Sequence, residues 1–157
     1  DGAAFFGWAR QPGLRTVQGE LTAAITQVLR VPEPRVVVAG RTDTGVHALG
    51  QVCHVDLPPH CWPGGQTAAR RLNAVLPDDV RIRSADIAPE GFDARFSAMF
   101  RRYEYLISDS GALDPRARGS AYVRRQPLDV DAMNIAAQQL QGVALQPALE
   151  PVRKKTH

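Results

Sequence analysis

One carboxylate stands between two glycines directly after an apolar stretch of the chain. Asp43 follows the apolar residues 36–39 and lies between Gly40 and Gly45. The apolar run predicts a short buried strand, and the glycines let the chain leave it through backbone conformations closed to residues with a Cβ atom. Such a loop can present Asp43 at the rim of a sheet, where an ionised carboxylate can act as a nucleophile. An aspartate in a glycine-rich turn can also cap its own backbone, and the spacing alone leaves both interpretations open.

A basic segment, residues 95–125, is a second candidate for function. It carries seven arginines and three acidic residues, so its net charge of +4 exceeds the +3 of the whole chain. Tyr103, Tyr105 and Tyr122 are interleaved with these arginines. Because guanidinium groups fork onto phosphates and aromatic faces stack on exposed bases, the segment predicts a nucleic-acid partner. A solvated basic face is the alternative.

The elements that would position these residues alternate between helices and strands. Thr16 can cap a helix whose apolar residues follow helical spacing, and Asp129 begins another. The first helix is predicted to be ended by Pro32 and Pro34, a second covers about 66–76, and the one that begins at Asp129 is stopped by Gly142. Strands are predicted over 35–39, 53–57, 80–87 and 101–107. Alternation within 101–107 places Arg101, Tyr103 and Tyr105 on one face of its strand. The order indicates a mixed α/β chain of the α+β class, with a largely antiparallel sheet and helices on one face.

A turn at residues 89–91 marks the predicted internal boundary. The chain is expected to divide into residues 1–90, which carry the Asp43 loop, and residues 91–157. With 157 residues, 44% of them hydrophobic and 22% charged, the composition is that of an ordinary globular protein. No apolar run approaches the ~20 residues that span a bilayer, so we expect no membrane association and a cytoplasmic location.

Neighbouring cysteines and histidines invite a metal hypothesis, which the spacing disfavours. Cys53-His54 and His60-Cys61 provide ligand types suited to zinc. Adjacent side chains on a strand point to opposite faces, however, and no CxxC or HxxxH spacing is present. We therefore expect no metal site. Two cysteines cannot form a disulfide framework, so both are expected as thiols.

The loop around Asp43 resembles the signature of a known enzyme family. Residues 40–48, GRTDTGVHA, are similar to the GRTDxGVHA signature of the TruA family of tRNA pseudouridine synthases. Several motifs in the family's order are more specific than one short pattern, and here they extend from residue 1 to 142. The further motifs are Asp1-Gly2 with Phe5-Phe6-Gly7-Trp8, Arg15-Thr16-Val17-Gln18-Gly19, Leu72-Asn73 with Leu76-Pro77, residues 92–98, and Arg101-Arg102-Tyr103-Glu104-Tyr105.

This resemblance implies an isomerase that converts uridine to pseudouridine in the anticodon stem-loop of tRNA, at family positions 38–40. The reaction cuts the N1–C1′ bond, turns the uracil over and joins C5 to C1′. Since no electron is gained or lost, it needs no redox cofactor and no metal. It does need a nucleophile that carries either C1′ or the uracil ring while the base turns, and a carboxylate can form and release such an ester-like adduct.

The resemblance also assigns roles to individual residues. Asp43 matches the family's catalytic nucleophile, and Arg41 would hold its carboxylate in place, with a phosphate contact as the alternative for Arg41. Tyr103 matches the tyrosine that packs against the target base, although core packing is the alternative. Arg95, Arg101 and Arg102 are expected to contact the RNA. For three further residues the general behaviour of the residue type decides: we expect a local hydrogen bond for His47, and places in the core for Trp8 and Phe6.

TruA-like enzymes have two similar α/β halves with the active cleft along their junction, and they are homodimers. By this resemblance the chain supplies the first half and the beginning of an incomplete second one. A truncated RNA-binding fragment without catalytic activity is the alternative function.

Overall fold

A computed structural model describes residues 1–110 and 113–141 of the chain. The chain divides into two compact units, Asp1–Met99 and a second that begins at Phe100. The sequence places its boundary earlier, at residues 89–91. The two predicted halves, residues 1–90 and 91–157, remain a proposal about domains.

The first helix, α1, spans Val17–Leu29 as the sequence predicts. Its start is set by Thr16, whose side chain accepts a hydrogen bond from the amide of Gly19 at 3.3 Å. Five apolar residues at helical spacing face the core, and the helix ends where Arg30 adopts a left-handed backbone conformation with φ 58°. The buried residues of this helix are Leu21, Ala24, Ile25, Val28 and Leu29.

Two short strands form the sheet of the first unit. Strand β1, Val36–Val38, pairs in antiparallel fashion with β2, Cys53–Val55, and Val37 lies opposite His54. Strand β1 is tied to α1 because the side-chain amide of Gln18 donates to the carbonyl of Val36 at 3.0 Å. The residues between the strands therefore form a loop whose two ends are held together by the sheet.

A second helix, α2, spans Gly65–Asn73 and contacts α1. The Arg71 guanidinium donates to the Val28 carbonyl at 2.8 Å, which links the two helices. Between the helices and β1 lies a closed apolar core to which the N-terminal segment contributes one tryptophan. The core residues are Trp8, Leu21, Ala24, Ile25, Val28, Leu29, Val31, Val36, Val38, Leu72 and Leu76.

The strand predicted over residues 80–87 is wrong. Instead of a neighbouring strand, the side chain of Asn73 satisfies both backbone groups of Ile82: its Nδ2 donates to the carbonyl at 2.8 Å, and its Oδ1 accepts from the amide at 2.7 Å. The alternating pattern of this stretch puts Val80 and Ile82 on one side, and both pack against the core although no strand forms.

Among its described residues, the second unit contains one parallel strand pair, a short 3-10 helix at Pro115–Ala117 and one α-helix. Strand β3, Ile107–Ser108, pairs with β4, Tyr122–Val123. Helix α3 spans Val130–Gln138, and Asp129 caps it by accepting from the amide of Ala132 at 2.9 Å, as predicted. The stop at Gly142 lies outside the described residues.

Two expectations about the second unit are corrected. Residues 101–106 are not a strand, because pairing with β4 begins only at Ile107. The expected antiparallel pairing holds for β1 and β2, whereas β3 and β4 form a separate parallel pair. The class remains α+β.

Candidate active site

The Asp43 loop leaves β1 and returns to β2 across a closed base. The amide of Ala39 donates to the carbonyl of Val52 at 2.8 Å, and the side chain of Gln51 donates to the carbonyl of Gly40 at 2.7 Å. The turn itself is closed by the amide of Val46, which donates to the carbonyl of Asp43 at 3.2 Å. Gly45 has a φ of 77°, a conformation that favours glycine. The loop is thus a fixed turn that leaves the Asp43 side chain exposed.

Asp43 and Arg41 line the same cavity, which has a volume of about 360 Å³. This volume lies within the range of sites for small ligands or single groups of larger ones. The opposite wall is formed by the N-terminal segment. The lining residues are Phe6, Gly7, Trp8, Ala9, Gln11, Arg41, Thr42, Asp43 and Thr44. A larger groove of about 690 Å³ runs along the outer side of α1, but neither Asp43 nor Arg41 lines it.

The structure records no ion pair between Arg41 and Asp43, both of which it describes as exposed. Their shared cavity brings a cation and a carboxylate to one place without direct pairing. The orienting role of Arg41 and the nucleophilic role of Asp43 therefore remain proposals.

Two aromatic residues of the N-terminal segment were expected in the core, and one of them is not there. Trp8 is buried, with 3% of its surface exposed, whereas Phe6 is 49% exposed and lines the cavity beside Asp43. Phe5, at 2% exposure, takes the place in the core, and the chain turns so that Phe6 points away from that core. Gln11, whose side chain donates to the Phe6 carbonyl at 3.1 Å, also lines the cavity.

Phe6 and Gln11 are thus candidate site residues that sequence reasoning missed. The adjacent pair Phe5 and Phe6 was the available signal, because only one of two neighbours can face the same core.

His47 contacts the N-terminal segment. Its Nδ1 accepts from the amide of Gly2 at 3.3 Å. The sequence favoured a local hydrogen bond, whereas this bond joins residues 45 positions apart.

Arg95 lies in a turn docked on β2. The amide of Ala94 donates to Nδ1 of His54 at 2.9 Å, and the carboxylate of Asp93 accepts from the amides of Arg95 and Phe96 at 2.7 and 3.0 Å. These backbone hydrogen bonds, led by that of Phe96, lower the pKa of Asp93. The Arg95 side chain is exposed, with its guanidinium carbon 5.4 Å from the centre of the Phe96 ring.

The other predicted RNA-contacting residues belong to the second unit. Tyr103 is 68% exposed, which speaks against core packing for this residue within its unit. Arg102 forms an ion pair with Glu104 at 3.0 Å, and Arg101 is partly buried. The structure brings together Asp43 and Arg41, while the roles of Tyr103, Arg95, Arg101 and Arg102 remain untested.

The described residues hold no cluster of three or more metal-ligating side chains. In the same part of the chain, no helix has the length and apolar character needed to cross a bilayer.

Sequence comparison identifies the class of protein that carries this loop and cavity. Residues 1–97 match the model of a family described as tRNA pseudouridine synthase. The chain belongs to this family, which is one of isomerases, and the TruA-type resemblance is confirmed.

Individual relatives extend the match beyond residue 97. Over 144 residues the chain is 56% identical to tRNA pseudouridine synthase A of Frankia casuarinae, covering 90% of the chain and 52% of the relative. Identity to the protein of the same name from Streptomyces avermitilis is 52%, with coverage of 90% and 52%. For Bifidobacterium longum it is 48%, with coverage of 87% and 50%. The chain therefore spans about half the length of the curated relatives it matches.

Proposed function

We propose that this chain carries the nucleophile of a tRNA pseudouridine synthase that isomerises uridine to pseudouridine. The observation that supports this most directly is the position of Asp43, exposed on a fixed turn and lining a cavity within the region that matches the family. Catalytic groups on loops held by a rigid scaffold are the usual arrangement in enzymes.

In the proposed reaction the Asp43 carboxylate attacks either C1′ or the uracil ring, and both routes balance. The electron pair of the N1–C1′ bond goes to the departing base, or the ring first accepts the carboxylate and then loses its bond to C1′. After the uracil turns over, C5 bonds to C1′, the carboxylate is released, and the proton on C5 is given up to solvent while N1 gains one. No oxidant, reductant or cofactor is consumed.

Other residues of the cavity support the same chemistry. The Arg41 guanidinium, which lines the cavity with Asp43, would favour the charged carboxylate and hold it in place. The exposed face of Phe6 provides an apolar wall on which a flat pyrimidine can stack.

The proposal extends to the RNA. Arg95, Arg101 and Arg102 would contact phosphates of the anticodon stem-loop, and the exposed Tyr103 ring would pack against the target base at one of the family's positions 38–40. Following the family resemblance, the protein would act without metal in the cytoplasm, as a homodimer. The alternative, an RNA-binding fragment without catalysis, is supported by the same arginines, of which Arg95 and Arg102 are exposed.

The test compares Asp43→Asn with Asp56→Asn, a matched change at an exposed aspartate outside the cavity. Asp43→Asn should lower the release of tritium from C5-labelled uridine in tRNA by roughly 10³-fold or more, because the nucleophile is lost. Affinity for tRNA should stay within a few-fold, since phosphate contacts are unchanged.

Asp56→Asn should leave both measurements unchanged. Full turnover by Asp43→Asn would contradict the assignment of the nucleophile. Tight tRNA binding by the unmodified chain with no tritium release would favour the RNA-binding alternative.

A further inference from the structure

The N-terminal segment, residues 1–8, runs along the Asp43 loop and contacts it on both sides of the carboxylate. Before Asp43, the amide of Trp8 donates to the carbonyl of Thr42 at 2.9 Å. After it, the amide of Gly45 donates to the carbonyl of Phe5 at 3.2 Å. We call this line of contacts the seam.

His47 contacts the segment at Gly2, at the end of the seam away from Trp8. Its Nδ1 accepts from the Gly2 amide at 3.3 Å. Beside it, Oδ1 of Asp1 accepts from the amide of Ala3 at 2.9 Å, which holds a turn at the start of the segment. The imidazole is therefore tied to the segment through the Gly2 amide.

Two glycines allow the backbones to approach this closely. A Cβ atom on Gly2 would lie 2.0 Å from the carbonyl oxygen of Val46, and one on Gly7 would lie 2.8 Å from the carbonyl oxygen of Thr42. Gly7 also has a φ of 85°, which an L side chain rarely adopts. The seam thus has no room for a side chain at either position.

The segment is itself anchored, so it can serve as a fixed reference for the loop. Phe5 and Trp8 are buried at 2% and 3% exposure, and the Arg15 guanidinium lies 4.1 Å from the centre of the Phe5 ring. Whatever holds the loop to this segment therefore holds it to the core of the first unit.

We infer that His47 is a positioning residue that sets the direction of the Asp43 carboxylate by fastening the loop to the N-terminal segment across the seam. The inference rests on the proposed role of Asp43. Reaction rates in enzymes depend on the position of the reacting group. Moving such a group by about 1 Å can lower the rate on the order of 10²-fold.

The experiment uses the full chain with three substitutions. His47→Leu removes the acceptor at similar volume, and His47→Asn restores an acceptor close to the place of Nδ1. His60→Leu is the control, since His60 lies exposed in the turn before α2. Hydrogen exchange of the Gly45 amide reports the seam, and that of the Ala39 amide, which bonds to Val52, reports the base of the loop.

His47→Leu should speed exchange at Gly45 by at least about 10-fold, while Ala39 changes little, because local opening does not require global unfolding. In single-turnover assays with tRNA, the rate should fall by about 10-fold or more while the dissociation constant stays within about three-fold. His47→Asn should recover most of both losses, and His60→Leu should resemble the unmodified chain.

Loss of turnover with unchanged exchange at Gly45 would overturn the inference, since His47 would then act on the chemistry directly. Unchanged exchange and unchanged turnover would overturn it as well. Faster exchange at both Gly45 and Ala39 would indicate general destabilisation and would also overturn it.

If the histidine variants fail to fold, Gly2→Ala tests the seam from its other side. Its Cβ would collide with the Val46 carbonyl, so it should give the same selective exchange at Gly45. An unmodified chain without turnover would contradict the proposed function, while exchange at Gly45 would still decide whether His47 holds the loop.

Discussion

The two units bury their apolar side chains very differently. The first closes a core between α1, α2 and β1, whereas no described residue of the second unit is buried. Helix α3 follows the same rules of capping and periodicity as α1, yet the apolar stripe formed by Val130, Met133 and Ala137 is only half-buried. A helix of nine residues is marginal in water by local signals alone. Local sequence signals thus place both helices, but of the two only α1 has fully buried residues.

The division also separates the proposed roles. Asp43 and its cavity lie in the first unit, where the core can hold a loop to a fixed geometry. Six of the seven arginines of the basic segment lie in the second unit, and only Arg95 lies in the first. Precise chemistry requires a rigid scaffold, while electrostatic attraction to a polyanion tolerates a looser one.

The largest expected effect comes from one matched pair of isoleucines. Ile25 in α1 is 6% exposed and Ile135 in α3 is 62% exposed. Ile25→Ala should cost about 2–4 kcal/mol of unfolding free energy because it leaves a cavity in the core. Ile135→Ala should change stability by less than about 0.5 kcal/mol.

Urea unfolding followed by tryptophan fluorescence and by far-UV circular dichroism checks this pair. Trp8 and Trp62 both belong to the first unit, so fluorescence reports that unit, and dichroism reports the helices of both. A loss above about 1 kcal/mol for Ile135→Ala would mean that α3 is buried in solution, which would break the comparison.

Features with local causes could be predicted from the sequence, and features that depend on a distant part of the chain could not. The bounds of α1 were predictable because its cap and apolar spacing are local. The absence of a strand over residues 80–87 was not predictable, because the backbone of Ile82 bonds to the side chain of Asn73 instead of a neighbouring strand. Within residues 101–107, the alternation gave no information about pairing, and pairing with β4 begins at Ile107. Strand formation depends on a partner that a single segment does not specify.

The candidate site shows the same limit. Asp43 and Arg41 lie two residues apart in one short loop, so their proximity could be read from the sequence, whereas the cavity that they line could not. Phe6 was misplaced because Phe5 and Phe6 are equally apolar, and only the folded chain decides which of them enters the core.

The N-cap residues of α1 and α3 allow the same comparison of the two units, with smaller expected effects on stability. Thr16 caps α1 and is 2% exposed, while Asp129 caps α3 and is exposed. Thr16→Ala should cost about 1–2 kcal/mol in the fluorescence-detected transition, since it leaves the partly buried amide of Gly19 unpaired. Asp129→Ala should reduce helical dichroism without moving that transition.

Thr16→Ser and Asp129→Asn are the matched controls, because both keep a side-chain acceptor and should retain most of the stability. A shift of the fluorescence transition by Asp129→Ala would show that the two units unfold together.

One aspartate–arginine contact in each unit allows a comparison of smaller, pH-dependent contributions to stability. Asp79 receives two hydrogen bonds from Arg15, at 2.8 and 3.0 Å, and these lower the pKa of Asp79 below its ordinary value of 3.8. In the second unit, Asp114 pairs with the nearby and exposed Arg116 at 2.6 Å. Asp79→Asn should cost about 0.5–1 kcal/mol at neutral pH, whereas Asp114→Asn should have no measurable effect.

The sign of the pH dependence follows from the lowered pKa of Asp79. Its contribution is fully present above pH 3.8 and is lost as the pH falls through the lower folded value. Unfolding free energies measured from pH 6 down to pH 2 should therefore fall less steeply for Asp79→Asn below pH 3.8. Identical pH profiles for Asp79→Asn and the unmodified chain would mean that the Arg15 contact does not persist in solution.

The smallest effects are expected from single arginines of the basic segment, and they ask whether both units contact RNA. Arg95→Ala in the first unit is compared with Arg101→Ala and Arg102→Ala in the second, and Arg70→Ala on the exposed side of α2 is the control. Each lost phosphate contact should weaken tRNA binding only a few-fold and should lower the slope of log affinity against log salt concentration by roughly 0.7–0.9. Because phosphates carry no sequence information, the loss should be the same for unrelated tRNAs.

A smaller slope for all three variants would assign RNA contacts to both units. A smaller slope confined to Arg101→Ala and Arg102→Ala would assign them to the second unit alone. Binding that is unchanged at both low and high salt for all three would instead make the basic segment a solvated surface.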